Sequence, residues 1–159
     1  MKKISLSRGE FALVDNADFP VLNKLTWTLS VSGKRKYAVH NFYKDGKNHL
    51  VAMHRFLLNA PKGKTIDHID GDGLNNQRAN LRVCTLAENL RNRKKPTING
   101  YPYTGIQPMG RKWRAIIGHK GKTIHLGMFL TPEDAARAYD AAAKRLFGKF
   151  ARLNFKETV

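Results

Sequence analysis

The 159-residue chain carries 29 lysines and arginines against 12 aspartates and glutamates, a formal charge of +17. Its one cysteine, Cys84, excludes an intramolecular disulfide, and no stretch is apolar for long enough to act as a signal sequence or to span a bilayer, so an intracellular protein is expected. Basic residues outnumber acidic ones by ten to four over residues 1–60, eight to four over 61–99 and eleven to four over 100–159. A polyanion touching much of the molecule is therefore expected, bound with an affinity that falls steeply as salt rises. Charge alone would equally suit a ribosomal or membrane-surface protein, and the length allows one medium domain or two small ones.

Residues 1–60 read as a small, mostly β region. Phe11-Ala12-Leu13-Val14 and Leu25-Thr26-Trp27-Thr28-Leu29 have strand character, and Asp18 to Leu25 suggests a single helical turn. Tyr37 to Tyr43 and Lys47 to Ala52 flank a Lys44-Asp45-Gly46 hairpin turn. Met53-His54-Arg55-Phe56-Leu57-Leu58 predicts a short helix ending near Pro61-Lys62-Gly63. Trp27 and Phe56 are expected in the core. His54 and Arg55 each have two readings: both reach a bound phosphate, Arg55 with paired donors, or His54 fills the core and Arg55 is solvated.

The densest polar stretch follows, from Ile66 to Arg93. Thr65 to Ile69 predicts a short strand that runs into a loop rich in Asp, Gly and Asn at Asp70 to Asn76. Arg82-Val83-Cys84 predicts a second strand, and Thr85-Leu86-Ala87-Glu88 is a capping box that opens a helix with Asn89 in its first turns. So many short polar side chains compete with backbone hydrogen bonding and suit a site better than a core. Strand, loop, strand and helix would bring Asp67 and Asn89 together with His68 beside them.

Such a constellation suits hydrolysis of a phosphodiester. A hard divalent ion such as Mg²⁺ takes oxygen ligands, keeps several waters and binds through one or two protein groups plus substrate phosphate. Asp67 and the Asn89 carbonyl supply two such oxygens, and neutral His68, with an ordinary pKa of about 6.5, accepts a proton from water near pH 7. A calcium loop is the competing reading of Asp70-Gly71-Asp72-Gly73, but the EF-hand spacing fails from either Asp67 or Asp70. A plain turn remains open for that tetrapeptide taken alone.

Taken together, I-D-H-I-D-G-D-G-L-N-N, N-L-R and the Glu88-Asn89 pair resemble the ββα-metal motif of HNH nucleases, and the flanking M-H-R-F and N-A-P-K-G resemble phage and bacterial homing endonucleases of that family. The resemblance implies Asp67 and Asn89 as metal ligands, His68 as general base and Asn80 as the residue that ties the loop together. Mg²⁺ is the implied ion, with Mn²⁺ as an alternative. Some relatives carry a structural zinc on cysteine pairs, which a chain with Cys84 alone does not provide.

Arg91, Arg93, Lys94 and Lys95 close the motif helix, where they suit either the helix dipole or a DNA backbone. Residues 95–101 hold a Pro and a Gly and predict a linker between an HNH domain at 1–94 and a second domain at 102–156. In that second domain, strands are expected at Tyr103 to Gln107, Lys112 to Ile117 and Lys122 to Gly127. Thr131-Pro132-Glu133-Asp134 starts a helix that runs to about Phe147, before Gly148. Ala135, Tyr139, Ala142 and Leu146 repeat at helical spacing and present a close-packing face to the sheet.

The fold class expected is thus α+β, with a small β region leading into the ββα-metal motif, then a three-stranded antiparallel sheet on one helix. The motifs Y-x-G-I, K-W-R-A-x-I, L-G-x-F-x-T-x-E-D-A-A-R-A-Y-D-A-A-A, L-F-G and L-N-F resemble the APETALA2-type DNA-binding domain of plant ethylene-response factors and phage homing endonucleases. That resemblance implies a sheet lying in the major groove of double-stranded DNA, with contacts from Gln107, Arg111, Trp113, Arg114, Lys122 and His125. Thr104 and Gln107 replace arginines of the plant first strand, so plant sequence preference does not transfer. Both resemblances together imply a site-specific, metal-dependent homing endonuclease acting as a monomer or a dimer. The alternatives are a DNA-binding regulator on an inactive HNH scaffold and a ribosome-associated RNA binder.

Overall fold

β1 (Lys2–Ser5) and β2 (Phe11–Val14) form an antiparallel hairpin at the start of the chain, with Ile4 opposite Ala12. Sequence reading missed β1, whose only deeply buried residue is Ile4. A computed structural model describes residues 1–92 and 100–155, and the chain divides into two units, Met1–Asn89 and Leu90–Val159. The division falls inside a helix, and the expected linker at 95–101 lies mostly outside the described residues.

In the first unit, α1 (Phe19–Leu22) is a single turn with Pro at its start. Leu25 to Leu29 does not form the expected strand, and β3 spans Thr28–Ser32 instead. The reason is Trp27, buried to 3% exposure, whose indole N–H donates to the Leu22 carbonyl at 2.9 Å and ties this segment to the end of α1. β4 (Arg35–Lys44) and β5 (Lys47–Ala52) complete an antiparallel sheet in the order β3-β4-β5. Asp45 (φ 51°) and Gly46 (φ 73°) both adopt the left-handed backbone of a tight two-residue hairpin.

α2 (Met53–Leu58) buries Met53 completely against a core of Ile4, Leu6, Ala12, Val14, Leu22, Trp27, Ala38 and Leu74. Phe56 does not join that core as expected; it is 40% exposed and meets Trp27 only edge-on. β6 (Thr65–His68) and β7 (Leu81–Cys84) pair so that Asp67 faces Arg82 and His68 faces Leu81. The loop between them is moored to β2: Leu13 donates to the Leu74 carbonyl and accepts from the Asn76 N–H, both at 2.8 Å. α3 (Leu86–Asn92) begins on the expected capping box, with Glu88 accepting from the Thr85 N–H and hydroxyl while its own N–H donates to Thr85 Oγ1.

In the second unit β8 (Ile106–Met109), β9 (Lys112–His119) and β10 (Lys122–Phe129) form an antiparallel sheet in the order β10-β9-β8. β8 starts later than Tyr103 because Thr104 bonds to a side chain rather than to a strand: its N–H donates to Asn154 Oδ1 and its carbonyl accepts from Asn154 Nδ2. α4 (Pro132–Phe147) is capped by Thr131 and stopped at Gly148. Its Ala135, Ala136, Tyr139, Ala142 and Ala143 pack on Ile106, Ala115 and Ile117. Gly105 is required by this packing, since a Cβ there would lie 1.9 Å from the Tyr139 ring and φ is +81°.

Candidate functional site: a histidine cluster under an asparagine-rich loop

The loop from Ile69 to Asn80 is held by its own short polar side chains. Asp70 Oδ1 accepts from the Asp72 N–H at 2.8 Å and from Asn80 Nδ2 at 2.9 Å, and Asp70 Oδ2 accepts from Asn75 Nδ2 at 2.8 Å. Asn80 also accepts from the Asp70 N–H and donates to the Asn75 carbonyl. Burial alone would push the Asp70 carboxyl up, yet the Asp72 N–H and the Asn75 and Asn80 amides hold it below its usual range. One asparagine thereby links both ends of the loop.

Beneath this loop lie Asp67 and His68, 5% and 7% exposed. Arg82 donates to Asp67 Oδ2 from Nε at 2.9 Å and from Nη2 at 2.6 Å, a pair buried on both sides. The His68 ring meets the His54 ring edge-on at 5.0 Å, and Tyr37 of β4 lies 5.6 Å from His54 and 6.1 Å from His68. Gly73 in the loop makes room for this tyrosine; a Cβ there would sit 2.2 Å from the Lys36 carbonyl oxygen and 2.7 Å from the Tyr37 ring.

Both imidazoles are pushed toward the neutral form. Burial lowers His68 below its ordinary value, opposed by the neighbouring Asn76 amide and by the carboxylates of Asp70, Asp67 and Asp72. His54 falls to about 4, chiefly through burial and then through the proximity of His68 and Arg55. A buried neutral imidazole beside a carboxylate is ready to accept a proton near pH 7.

The remaining expected residues are more dispersed. Arg55 is exposed and donates from Nη2 to the Lys64 carbonyl at 3.0 Å, tying α2 to the approach of β6. Asn89 is half-buried in α3, with its N–H bonded to the Thr85 carbonyl. Among the described residues no cluster of three or more His, Cys, Asp or Glu forms. The donors implied for a metal are one carboxylate and one amide carbonyl, which suits a hard cation that keeps most of its waters. Arg93 lies outside the described residues.

In the second unit the Arg91 guanidinium covers the Phe147 ring at 4.2 Å. Gln107 and Arg114 face each other across β8 and β9 and are bonded side chain to side chain, on the sheet face turned away from Ala115 and α4. By register His125, opposite Ile116, shares that face. Arg111 and Lys122 are exposed at the turns, whereas Trp113 is half-buried against the α4-side core and meets Tyr101 at 4.4 Å.

Residues 47–91, which hold His54, Asp67, His68, Asn80 and Asn89, match the family model of the HNH endonuclease. An uncharacterized HNH endonuclease of Acanthamoeba polyphaga mimivirus is 32% identical over 154 residues, covering 92% of this chain and 76% of the relative. The chain belongs to the HNH endonuclease family. Protein 3.8 of Escherichia phage T7 is 33% identical over 113 residues, covering 70% of this chain and 93% of its own. An ethylene-responsive transcription factor of Arabidopsis thaliana is 49% identical over 69 residues, 41% of this chain and 26% of its own length, which supports a DNA-binding domain here. No solved structure matches, and no helix among the described residues is long and apolar enough to cross a membrane.

For this HNH nuclease, sequence reading missed three residues of the site. Tyr37 stands 31 positions before His68 and 17 before His54, so only the fold brings the rings together. Arg82 was read as part of a strand and of the N-L-R motif but given no role of its own, because its pairing with Asp67 depends on strand register. Asn76 is fully buried within the loop, and nothing in its local sequence separates it from the half-buried Asn75 beside it.

Proposed function

We propose that this HNH nuclease is a site-specific, divalent-metal-dependent DNA endonuclease of homing type. Residues 1–94 form its cutting domain and 102–156 read the major groove of double-stranded DNA. The observation that carries this reading is the buried Asp67–His68 pair beside the Asn80-tied loop, within the residues that match the HNH endonuclease family model.

His68 takes the proton of an attacking water as the new P–O bond forms, and the P–O3′ bond breaks to leave a 5′-phosphate and a 3′-hydroxyl. Asp67 and the Asn89 carbonyl oxygen would hold a divalent ion, Mg²⁺ foremost. When bound, such an ion offsets charge on the phosphate oxygens and on the departing 3′-oxygen. His54 and Tyr37 wall the His68 ring on two sides and limit its rotation. Asn80 keeps the loop above the site closed through Asp70 and Asn75. Arg82 neutralises Asp67 from the opposite strand and fixes its carboxylate.

An HNH site alone meets mostly backbone, so sequence choice falls to the second unit, whose open face offers Gln107, Arg114 and His125. Tethering the two raises the local concentration of the cutter at chosen sites. With one such site per chain, a monomer nicks one strand. The test is incubation of supercoiled plasmid with Mg²⁺, with Mn²⁺ and with chelator, followed by analysis of the ends. Nicked or linear DNA bearing 5′-phosphates, formed only with divalent ion, is expected. DNA bound but uncut with every ion would favour a regulator on an inactive scaffold.

A further inference from the structure

The β4–β5 hairpin outruns the sheet it belongs to. β3 pairs with β4 only from Arg35 to Val39, whereas β5 pairs with it from Val39 to Lys44. Beyond Val39 the sheet is a two-stranded ribbon, and every residue from Asn41 to Leu50 is exposed. Such a ribbon is marginal on its own, and its outer edges offer unpaired backbone groups.

Its two faces differ. On one, His40, Phe42 and His49 stack in a row at 5.7 and 5.3 Å, with the rings within 18° of parallel. The other carries Asn41 and Tyr43, with Asn48 directly across from Tyr43. By strand alternation this second face is also the face of Tyr37, whose ring touches His54 and His68. The amide-bearing face is therefore continuous with the wall of the cutting site. Of the basic side chains between residues 34 and 49, Lys34, Arg35 and Lys36 stand at the β3 end of β4, and the ribbon itself carries Lys44 and Lys47, paired across its tip beside Asp45.

We propose that this ribbon is a second DNA-reading element, entering the major groove of the same duplex whose backbone is cut at His68. The proposal rests on the nuclease reading of that site. A polyanion answers the chain's charge of +17 and the lysine pair at the ribbon's tip, and the major groove admits a two-stranded β-ribbon. Asn41 and Asn48 meet base edges, for which Asn pairs best with adenine, while Lys44 and Lys47 flank the phosphates. From Tyr37, Asn41 lies four residues along β4 and Tyr43, opposite Asn48, six, about 14 to 20 Å at roughly 3.4 Å per residue. Base pairs also rise about 3.4 Å each, so the contacts fall about four to six base pairs to one side of the cut. The family-model match begins at Lys47 and leaves β4 out.

The experiment compares the full-length protein with Asn41→Ala/Asn48→Ala and Lys44→Ala/Lys47→Ala, on a duplex carrying a mapped cleavage site. Footprint, salt dependence of binding and single-turnover cleavage at saturating protein are measured. The asparagine variant is expected to lose protection about four to six base pairs from the cut and to bind about tenfold more weakly. For the lysine variant the slope of log affinity against log salt shrinks by about 2. Cleavage at saturation stays unchanged in both. Unaltered footprint and salt slope in cutting-competent variants would overturn the proposal and assign the ribbon to protein contacts or structure alone. A wild-type protein that binds duplexes but cuts none would overturn the nuclease reading instead, and whether the asparagine variant loses part of the wild-type footprint on a bound duplex would still decide the ribbon.

Discussion

The loop at Ile69–Asn80 and the α4 side of the C-terminal sheet solve the same problem, holding functional side chains still, by opposite means. The loop is fixed by hydrogen bonds among Asp70, Asp72, Asn75 and Asn80 and moored to Leu13. The sheet is fixed by apolar contact, alanines of α4 lying flat against Ile106, Ala115 and Ile117. Polar mooring sets carboxylates and imidazoles side by side, as the proposed hydrolysis needs. Apolar packing on one face leaves the other face open for the proposed groove contacts. The difference implies that single polar deletions should hurt the first region most, and single changes of volume the second.

The largest effect is expected at the Asp67–Arg82 pair. Arg82→Ala leaves a buried carboxylate without its guanidinium, which destabilises the fold by about 3–5 kcal/mol. Because Asp67 is proposed to hold a divalent ion, Mg²⁺ should raise the melting temperature of Arg82→Ala more than that of the wild type. Equal shifts in the two proteins would detach Asp67 from the metal.

Next comes volume. Gly105→Ala places a methyl 1.9 Å from the Tyr139 ring in a left-handed backbone, and overpacking with strain together amount to about 3 kcal/mol. Calorimetry should show the loss, and sequence-specific DNA binding should fall with it. If Gly105→Ala left both unchanged, the apolar account of the second unit would fail.

Acid sharpens the comparison from the side of the first unit. His54 has a pKa of about 4 in the fold against an ordinary 6.5, so the unfolded chain takes up its proton first as pH drops. Stability from this residue is complete above about pH 6.5, declines as pH falls toward 4 and levels off below that, amounting to about 2 kcal/mol lost by pH 5. Urea unfolding at pH 7 and pH 5 should show this loss in the wild type and a smaller one in His54→Gln. A smaller effect still, about 1–2 kcal/mol, is expected for Asn80→Ala, which leaves Asp70 and the Asn75 carbonyl short of a donor. Its cleavage rate should fall more than its DNA affinity.

Much of this was legible where local chemistry decides. The Asp45-Gly46 turn, the Thr85–Glu88 capping box, the Met53–Leu58 helix and the Thr131 start of α4 follow from residues a few positions apart. What depends on register or on distant packing was not. Nothing around Arg82 says that it faces Asp67, and nothing around Tyr37 says that it meets two histidines. Trp27 read as a strand residue because its bond to the Leu22 carbonyl is a tertiary fact. Thr104 likewise read as strand, since its actual partner, Asn154, is 50 residues away.

The central claim is that His68 removes the proton from water, and single-turnover cleavage of plasmid in Mg²⁺ by the wild type and by His68→Ala, with DNA affinity measured in parallel, tests it most directly. The account predicts equal binding and cleavage about 10² to 10⁴ times slower in the variant. Cleavage by His68→Ala at the wild-type rate would contradict it.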